Sequence, residues 1–267
     1  MAMTTTKILA ALFLATAVAG IGSSGKIVLA DEDKHELEEH EKFYVQGWPA
    51  VPSEAWAIAM GARIYDNWIN ALEKDGPKNT HSAWPASNTK KKGKTTWRCK
   101  SCHGWDMLGR DGKYGSGSYK TGIKGVQDVA GMDENKIHKI IMDEPHNFTH
   151  EMIPEPYMKW LATFLSKGQY DIKKFVSDDG DVSGDPNRGK AIFQNICASC
   201  HGYNGTALNW GEDDDPNYVG TEANANPWEV FFKIRHGHPG VEMVALTAFS
   251  LEEAANVLSY AKTLPKK

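Results

Sequence analysis

Apolar side chains recur at the spacing of an amphipathic helix near the end of each half of the chain. The first such segment covers residues 156–167 and is followed by Gly168, and the second begins after the capping box formed by Ser250 and Glu253. The apolar positions are Tyr157, Leu161, Phe164 and Leu165 in the first segment and Leu251, Ala254, Ala255, Leu258 and Ala261 in the second. The pattern predicts a closing helix in both halves.

A second pattern recurs ahead of these helices. The sequence Gly-x-x-Ile-aromatic begins at Gly61 and again at Gly189, and each copy predicts an amphipathic helix. Residues 66–96 follow the first copy without a counterpart after the second, so we expect an inserted surface loop there. The repeat predicts an all-α fold with two tandem helical domains.

The N-terminal segment has the pattern of a secretory signal peptide. Lys7 precedes an apolar run over residues 8–21, which is shorter than the ~20 apolar residues that a membrane span needs. Small residues follow, and cleavage is expected after Ala30, with Ala19 as the alternative. We therefore expect an exported or periplasmic mature protein without a transmembrane anchor.

Composition and charge narrow the range of partners. The chain is 41% hydrophobic and 24% charged, which is typical of globular proteins, and its formal net charge is −4. Removing residues 1–30 takes away two lysines and no acid, so 28 bases remain against 34 acids, a net charge of −6. An acidic chain without a basic stripe argues against nucleic acid as the main partner.

All four cysteines lie in two copies of the motif Cys-x-x-Cys-His. The motif is typical of c-type haem attachment, in which both sulfurs form thioethers and the histidine binds the iron from the proximal side. A zinc site is disfavoured because the two pairs are nearly 100 residues apart, and a redox dithiol would not explain the duplication. The motif residues are Cys99, Cys102 and His103 in the first copy and Cys197, Cys200 and His201 in the second.

Together these motifs resemble class I cytochrome c, with a Gly-x-x-Ile-aromatic helix, a Cys-x-x-Cys-His-Gly site and a closing helix that carries an aromatic residue. The resemblance covers most of the mature chain and implies two cytochrome c domains with two haem c groups. We expect domain 1 at residues 53–170 and domain 2 at residues 185–267, joined by a polar linker at 171–184. Residues 31–52 form an acidic lead-in outside the resemblance.

In the resembling family, the distal iron ligand lies in a loop before the last helix. Met243 is the only methionine after Cys200 and lies 17 residues before Tyr260, so we expect it to be the distal ligand of the second haem. His236 and His238 are competitors in the same region.

The first half offers four distal candidates, which are Met142, His146, His150 and Met152. If Phe164 corresponds to Tyr260, His146 lies 18 residues before the aromatic and Met152 lies 12 before it. His146 is therefore favoured, with Met152 as the alternative. His/His ligation would give the first haem a lower potential than a His/Met haem.

These features favour an electron carrier that exchanges single electrons with a protein donor and a protein acceptor. An alternative is a dihaem oxidoreductase acting on a small inorganic substrate, which would need a vacant or displaceable distal position at one haem. Another is a haem-bearing subunit of a larger redox complex, with residues 66–96 and the acidic lead-in as contact surfaces.

Overall fold

The computed structural model describes residue 49 and residues 52–267, so the predicted signal peptide and most of the acidic lead-in lie outside the described residues. The α-helices are α1 (Glu54–Ala71), α2 (Cys99–His103), α3 (Glu134–Met142), α4 (Glu155–Lys167), α5 (Pro186–Ile192), α6 (Ala198–His201), α7 (Val219–Ala225), α8 (Pro227–His236) and α9 (Leu251–Ala261). In the described part, β structure is limited to two isolated bridges. The predicted all-α fold is confirmed.

The predicted helix ends have a clear local cause. At the start of α9, the Ser250 hydroxyl accepts a hydrogen bond from the Glu253 N–H, and the Glu253 carboxylate accepts one from the Ser250 N–H, both at 3.1 Å. This capping box satisfies backbone donors that the first turn of a helix leaves unpaired. Helix α4 ends at Lys167, directly before Gly168, as its sequence pattern predicted.

The two Gly-x-x-Ile-aromatic segments lie at equivalent helix crossings. Helix α1 packs on α4 and helix α5 packs on α9. A Cβ added to Gly61 would lie 2.0 Å from the Trp160 carbonyl oxygen, and one added to Gly189 would lie 1.8 Å from the Asn256 carbonyl oxygen. Glycine is therefore required in both places, because only a bare backbone allows such a close approach.

The same register continues one helical turn further along each pair of helices. Tyr65 contacts Phe164 with ring centroids 5.5 Å apart, and Phe193 contacts Tyr260 with centroids 5.4 Å apart. The structure thus pairs Phe164 with the same partner position as Tyr260, which is the correspondence assumed from the sequence.

The buried apolar residues of both halves belong to one continuous core. Phe232 of α8 lies 5.9 Å from the Tyr65 ring, 5.9 Å from the Phe164 ring and 5.3 Å from the Trp105 ring. Helix α8 therefore packs on residues of the first half as well as on α9.

The predicted linker is partly buried and is not a fully solvent-exposed segment. Ile172, Phe175 and Val176 are buried, and Phe175 stacks on Phe231 with ring centroids 5.7 Å apart. The polar, acidic pattern that suggested a linker is confined to the later residues of 171–184, while the earlier ones contribute apolar side chains to the core.

The predicted insertion also differs from a simple surface loop. Residues 66–71 belong to α1, which is kinked at Asn67. Further along the segment, His81, Trp84 and Thr96 are buried. Of these, His81 and Thr96 lie beside the first Cys-x-x-Cys-His motif, which residues of a surface loop would not do.

Candidate functional site

The structure has a cavity beside each Cys-x-x-Cys-His motif. The first cavity has a volume of ≈ 410 Å³ and is lined by Cys99, Cys102, His103 and His146 together with a mostly apolar wall. The wall includes Val126, Ile137, Ile141, Phe148, Leu161 and Leu165. An apolar cavity with a few converging polar groups is typical of a cofactor site.

His103 is held in the tautomer that a metal ligand needs. Its Nδ1–H donates to the Lys124 carbonyl oxygen at 2.8 Å, which leaves the Nε2 lone pair available. Burial lowers the pKa of His103 to about 4, so the imidazole is neutral near pH 7. His103 is the last residue of α2, and the Gly104 that follows it has a φ of 84°, in the left-handed region that favours glycine.

His146 faces His103 across the first cavity. The two ring centroids are 6.1 Å apart, and the His146 Nδ1–H donates to the Ile140 carbonyl oxygen at 2.9 Å. Two imidazoles that bind one metal ion from opposite sides, each at about 2.0–2.1 Å, place their ring centroids about 6.3 Å apart. Burial lowers the pKa of His146 as well, so both imidazoles are suited to a shared metal centre.

The other distal candidates of the first half lie elsewhere. Met142, His150 and Met152 do not line the first cavity. Met152 is half-buried against the core, and the Met142 Sδ lies 3.1 Å from Nε2 of His138. Of the four candidates, the structure brings only His146 into the cavity with His103.

His81 is a site residue that the sequence analysis missed. Its Nδ1 accepts a hydrogen bond from the Ala83 N–H at 3.0 Å, so its Nε2–H donates to the His146 carbonyl oxygen at 2.9 Å. Its ring packs on Trp97 with centroids 4.3 Å apart. His81 thus holds the backbone of the loop that carries His146. It is the only histidine of residues 66–96, but no spacing rule connected it to the site.

The second cavity has a volume of ≈ 290 Å³ and is lined by Cys197, His201, His238 and Met243. Cys200 is exposed on the adjacent helix α6. Glu222, Glu229 and Lys233 also line this cavity, so it is more polar than the first. The Nδ1 of His201 is buried without a hydrogen-bond partner among the described residues, unlike the Nδ1 of His103.

The two histidine competitors of Met243 separate in the structure. His236 is fully buried, with its ring 4.9 Å from Phe232 and 5.4 Å from Phe164, and it does not line the second cavity. His238 lines that cavity together with Met243, so both remain distal candidates there. His236 is the last residue of α8, and aromatic packing encloses its ring.

The loop that carries Met243 is held by a residue of the first half. Arg63 of α1 donates from Nη2 to the Met243 carbonyl oxygen at 2.6 Å and from Nε to the His236 carbonyl oxygen at 2.9 Å. The second cavity is therefore shaped in part by helix α1.

A buried ion cluster lies between the two cavities. The Asp66 carboxylate is fully buried, contacts Arg98 Nη2 at 2.6 Å and also pairs with Lys233. Burial alone would raise the pKa of Asp66, but Lys233 and Arg98 hold it below its ordinary value. Since Arg98 lines the first cavity and Lys233 lines the second, the cluster connects the two sites.

One family model matches a segment in the second half of the chain. Residues 184–260 match the family described as cytochrome C oxidase, cbb3-type, subunit III. No curated protein matches the chain. The family match identifies a c-type cytochrome domain at these residues, which implies covalently bound haem c and a role in electron transfer.

The residues of both cavities fit haem c. Each cavity has a cysteine pair at or beside it, the histidine of the same motif in its lining, apolar walls and at least one further histidine or methionine. In the described part of the chain, every helix is too short or too polar to cross a lipid bilayer.

Proposed function

We propose that this chain is a dihaem c-type cytochrome that passes single electrons between a donor and an acceptor protein. Cys99 and Cys102 attach the first haem, and Cys197 and Cys200 attach the second. His103 and His201 are the proximal ligands, and His146 and Met243 are the distal ones. The observation that carries the proposal is the facing pair of His103 and His146, whose rings are 6.1 Å apart in an otherwise apolar cavity.

The domain organisation and the location are part of the proposal. Domain 1 comprises residues 53–170 and domain 2 comprises residues 185–267, with residues 171–184 between them. Residues 1–30 are a signal peptide, and the mature protein works in the periplasm or another exported compartment.

When bound, haem supplies reversible one-electron chemistry at its iron. The protein's own residues do the rest. The walls of the first cavity are mostly apolar, and the Lys124 and Ile140 carbonyls engage Nδ1 of the two imidazoles, so Nε2 of each would be available to the haem iron. With His146 and Met243 as distal ligands, a substrate would have no open coordination site, which favours a carrier over an enzyme.

The ligand sets predict two different reduction potentials. Methionine raises the potential of a haem iron relative to a second histidine, so the His103/His146 haem should have the lower value. A potentiometric titration of the purified protein should resolve two one-electron steps. The lower of the two reduction potentials should rise in the His146→Met variant. Two equal high potentials in the wild-type protein would contradict the proposed ligation.

A second candidate function is a haem-bearing subunit of a larger redox complex. The matched family is named for an oxidase subunit, and exposed apolar residues flank Met243. Val241 is 53% exposed and Val244 is 59% exposed, and exposed apolar groups near a site are typical of protein contact surfaces. Size-exclusion chromatography of native material would distinguish the two, since a subunit elutes with stable partners and a carrier elutes alone.

A further inference from the structure

A second group of potential metal ligands lies outside both haem cavities. Among the described residues, His138, His150 and Glu155 offer ligand atoms that all lie within 4.8 Å of one another. The Glu155 Oε2 is 3.3 Å from the His150 Nε2 and 3.7 Å from the His138 Nε2. None of the three residues lines the first or the second cavity.

The spacing of these atoms suits a small transition-metal ion. Ligands placed about 2.0–2.1 Å from a tetrahedral ion are about 3.4 Å apart, which is close to the two distances to Glu155. Two imidazoles and one carboxylate form a ligand set that is common for zinc.

The three residues come from three consecutive elements. His138 lies on α3, Glu155 is the first residue of α4, and His150 lies in the connection between these helices. That connection also carries His146. An ion bound here would therefore fasten the loop of the distal histidine to both neighbouring helices.

We propose that His138, His150 and Glu155 bind a divalent transition-metal ion of the zinc type. The bound ion links the loop that carries His146 to helices α3 and α4. The metal site itself is independent of the haem assignment. Its effect on the first haem rests on the proposed function, because it requires His146 to be the distal ligand.

The binding test uses the purified, haem-loaded protein and isothermal titration with ZnCl2. We expect one Zn²⁺ per chain at this site, and at least a tenfold loss of affinity in His150→Gln and in Glu155→Gln. The side chains of His150 and Glu155 are 47% and 63% exposed, so these variants should fold, and circular dichroism checks that they do. Glu151→Gln is the matched control, because Glu151 is an exposed neighbouring carboxylate outside the cluster and its variant should bind as the wild type does.

Unchanged Zn²⁺ affinity in His150→Gln and Glu155→Gln would overturn the site, and so would the absence of any binding. MgCl2 serves as the metal control, because Mg²⁺ prefers oxygen ligands and should not compete. The His146→Ala variant should still bind Zn²⁺, so a failure of the haem assignment can be told apart from a failure of the metal site.

Stabilisation of the loop by the bound ion is tested by hydrogen exchange of the backbone amides in residues 143–153. Zn²⁺ should slow their exchange several-fold in the wild type and leave it unchanged in Glu155→Gln. Equal exchange rates of these amides with and without saturating Zn²⁺ would contradict the proposed stabilisation of the loop.

Discussion

The assignment of the first haem site depends on the side chains of two histidines. His103 and His146 each donate through Nδ1 to a backbone carbonyl, which leaves Nε2 free on both rings. His81 then holds the His146 backbone at 2.9 Å. These hydrogen bonds within the polypeptide thus orient the imidazoles and position the backbone of His146.

Replacing His146 should open the first haem. In His146→Ala the reduced protein should bind carbon monoxide at one haem, because the sixth position is no longer filled. Met152→Leu is the control and should behave as the wild type, which should bind none. The visible spectrum after addition of carbon monoxide measures this, and a Met152→Leu protein that binds it while His146→Ala does not would reverse the assignment.

Lys100 provides a pH-dependent test of burial at the first motif. Burial and the nearby Arg98 lower its pKa from the ordinary value of 10.5 to about 7, although its Nζ lies over the Trp105 and Tyr119 rings at 4.5 and 4.7 Å. Between these pKa values the unfolded chain binds a proton that the folded chain does not, so stability should rise with pH.

The corresponding measurement is the melting temperature at about pH 7.5 and about pH 9.5. The Lys100→Met variant lacks this titration, so it should gain less stability over this interval than the wild type. An identical pH dependence in both proteins would mean that Lys100 keeps an ordinary pKa in the folded state.

At the scale of helices, each half depends on one close crossing. Gly189→Ala should destabilise the protein by about 1–3 kcal/mol, because its Cβ would lie 1.8 Å from the Asn256 carbonyl oxygen. Arg188→Ala is the matched control on the exposed face of α5 and should change stability by less than about 0.5 kcal/mol. Urea denaturation followed by circular dichroism gives both values, and equal stability of the two variants would argue against the tight crossing.

Local patterns in the sequence were sufficient to predict helices α1, α4, α5 and α9, but they gave no prediction for α3, α7 or α8. The capping box at Ser250 and the apolar spacing after it depend on residues a few positions apart, and both are present in the structure. The spacing before Phe164 likewise favoured His146 over Met152, because the helix crossings of the two halves share a register. Each of these inferences uses contacts that repeat or stay close along the chain.

Contacts between distant segments could not be predicted in the same way. The Arg63 bond to the Met243 carbonyl and the Asp66–Lys233 pair each join α1 to the second half, well over a hundred positions away in the chain. His81 reaches His146 from a segment interpreted as a surface loop. No periodicity or motif links such residues, because their contact depends on how whole segments pack.

At the scale of the whole molecule, the Asp66 ion cluster joins the two halves. Asp66→Asn would leave Arg98 and Lys233 without their buried counter-charge, so we expect a loss of about 3–5 kcal/mol in unfolding free energy. The control Asp111→Asn removes an exposed pair with Arg110 at 3.7 Å and should cost about 0–1 kcal/mol. Denaturant titration compares the two, and an equally small loss in both would remove the cluster as a structural link.

The central claim is that the chain carries two covalent haems, and the most direct measurement is the intact mass of purified, correctly exported protein. The wild type should have the mass of the polypeptide plus two haem c groups. The Cys99→Ser/Cys102→Ser variant should retain only the group attached at Cys197 and Cys200. A wild-type mass with one haem or none, or a variant that still carries two, would contradict the account.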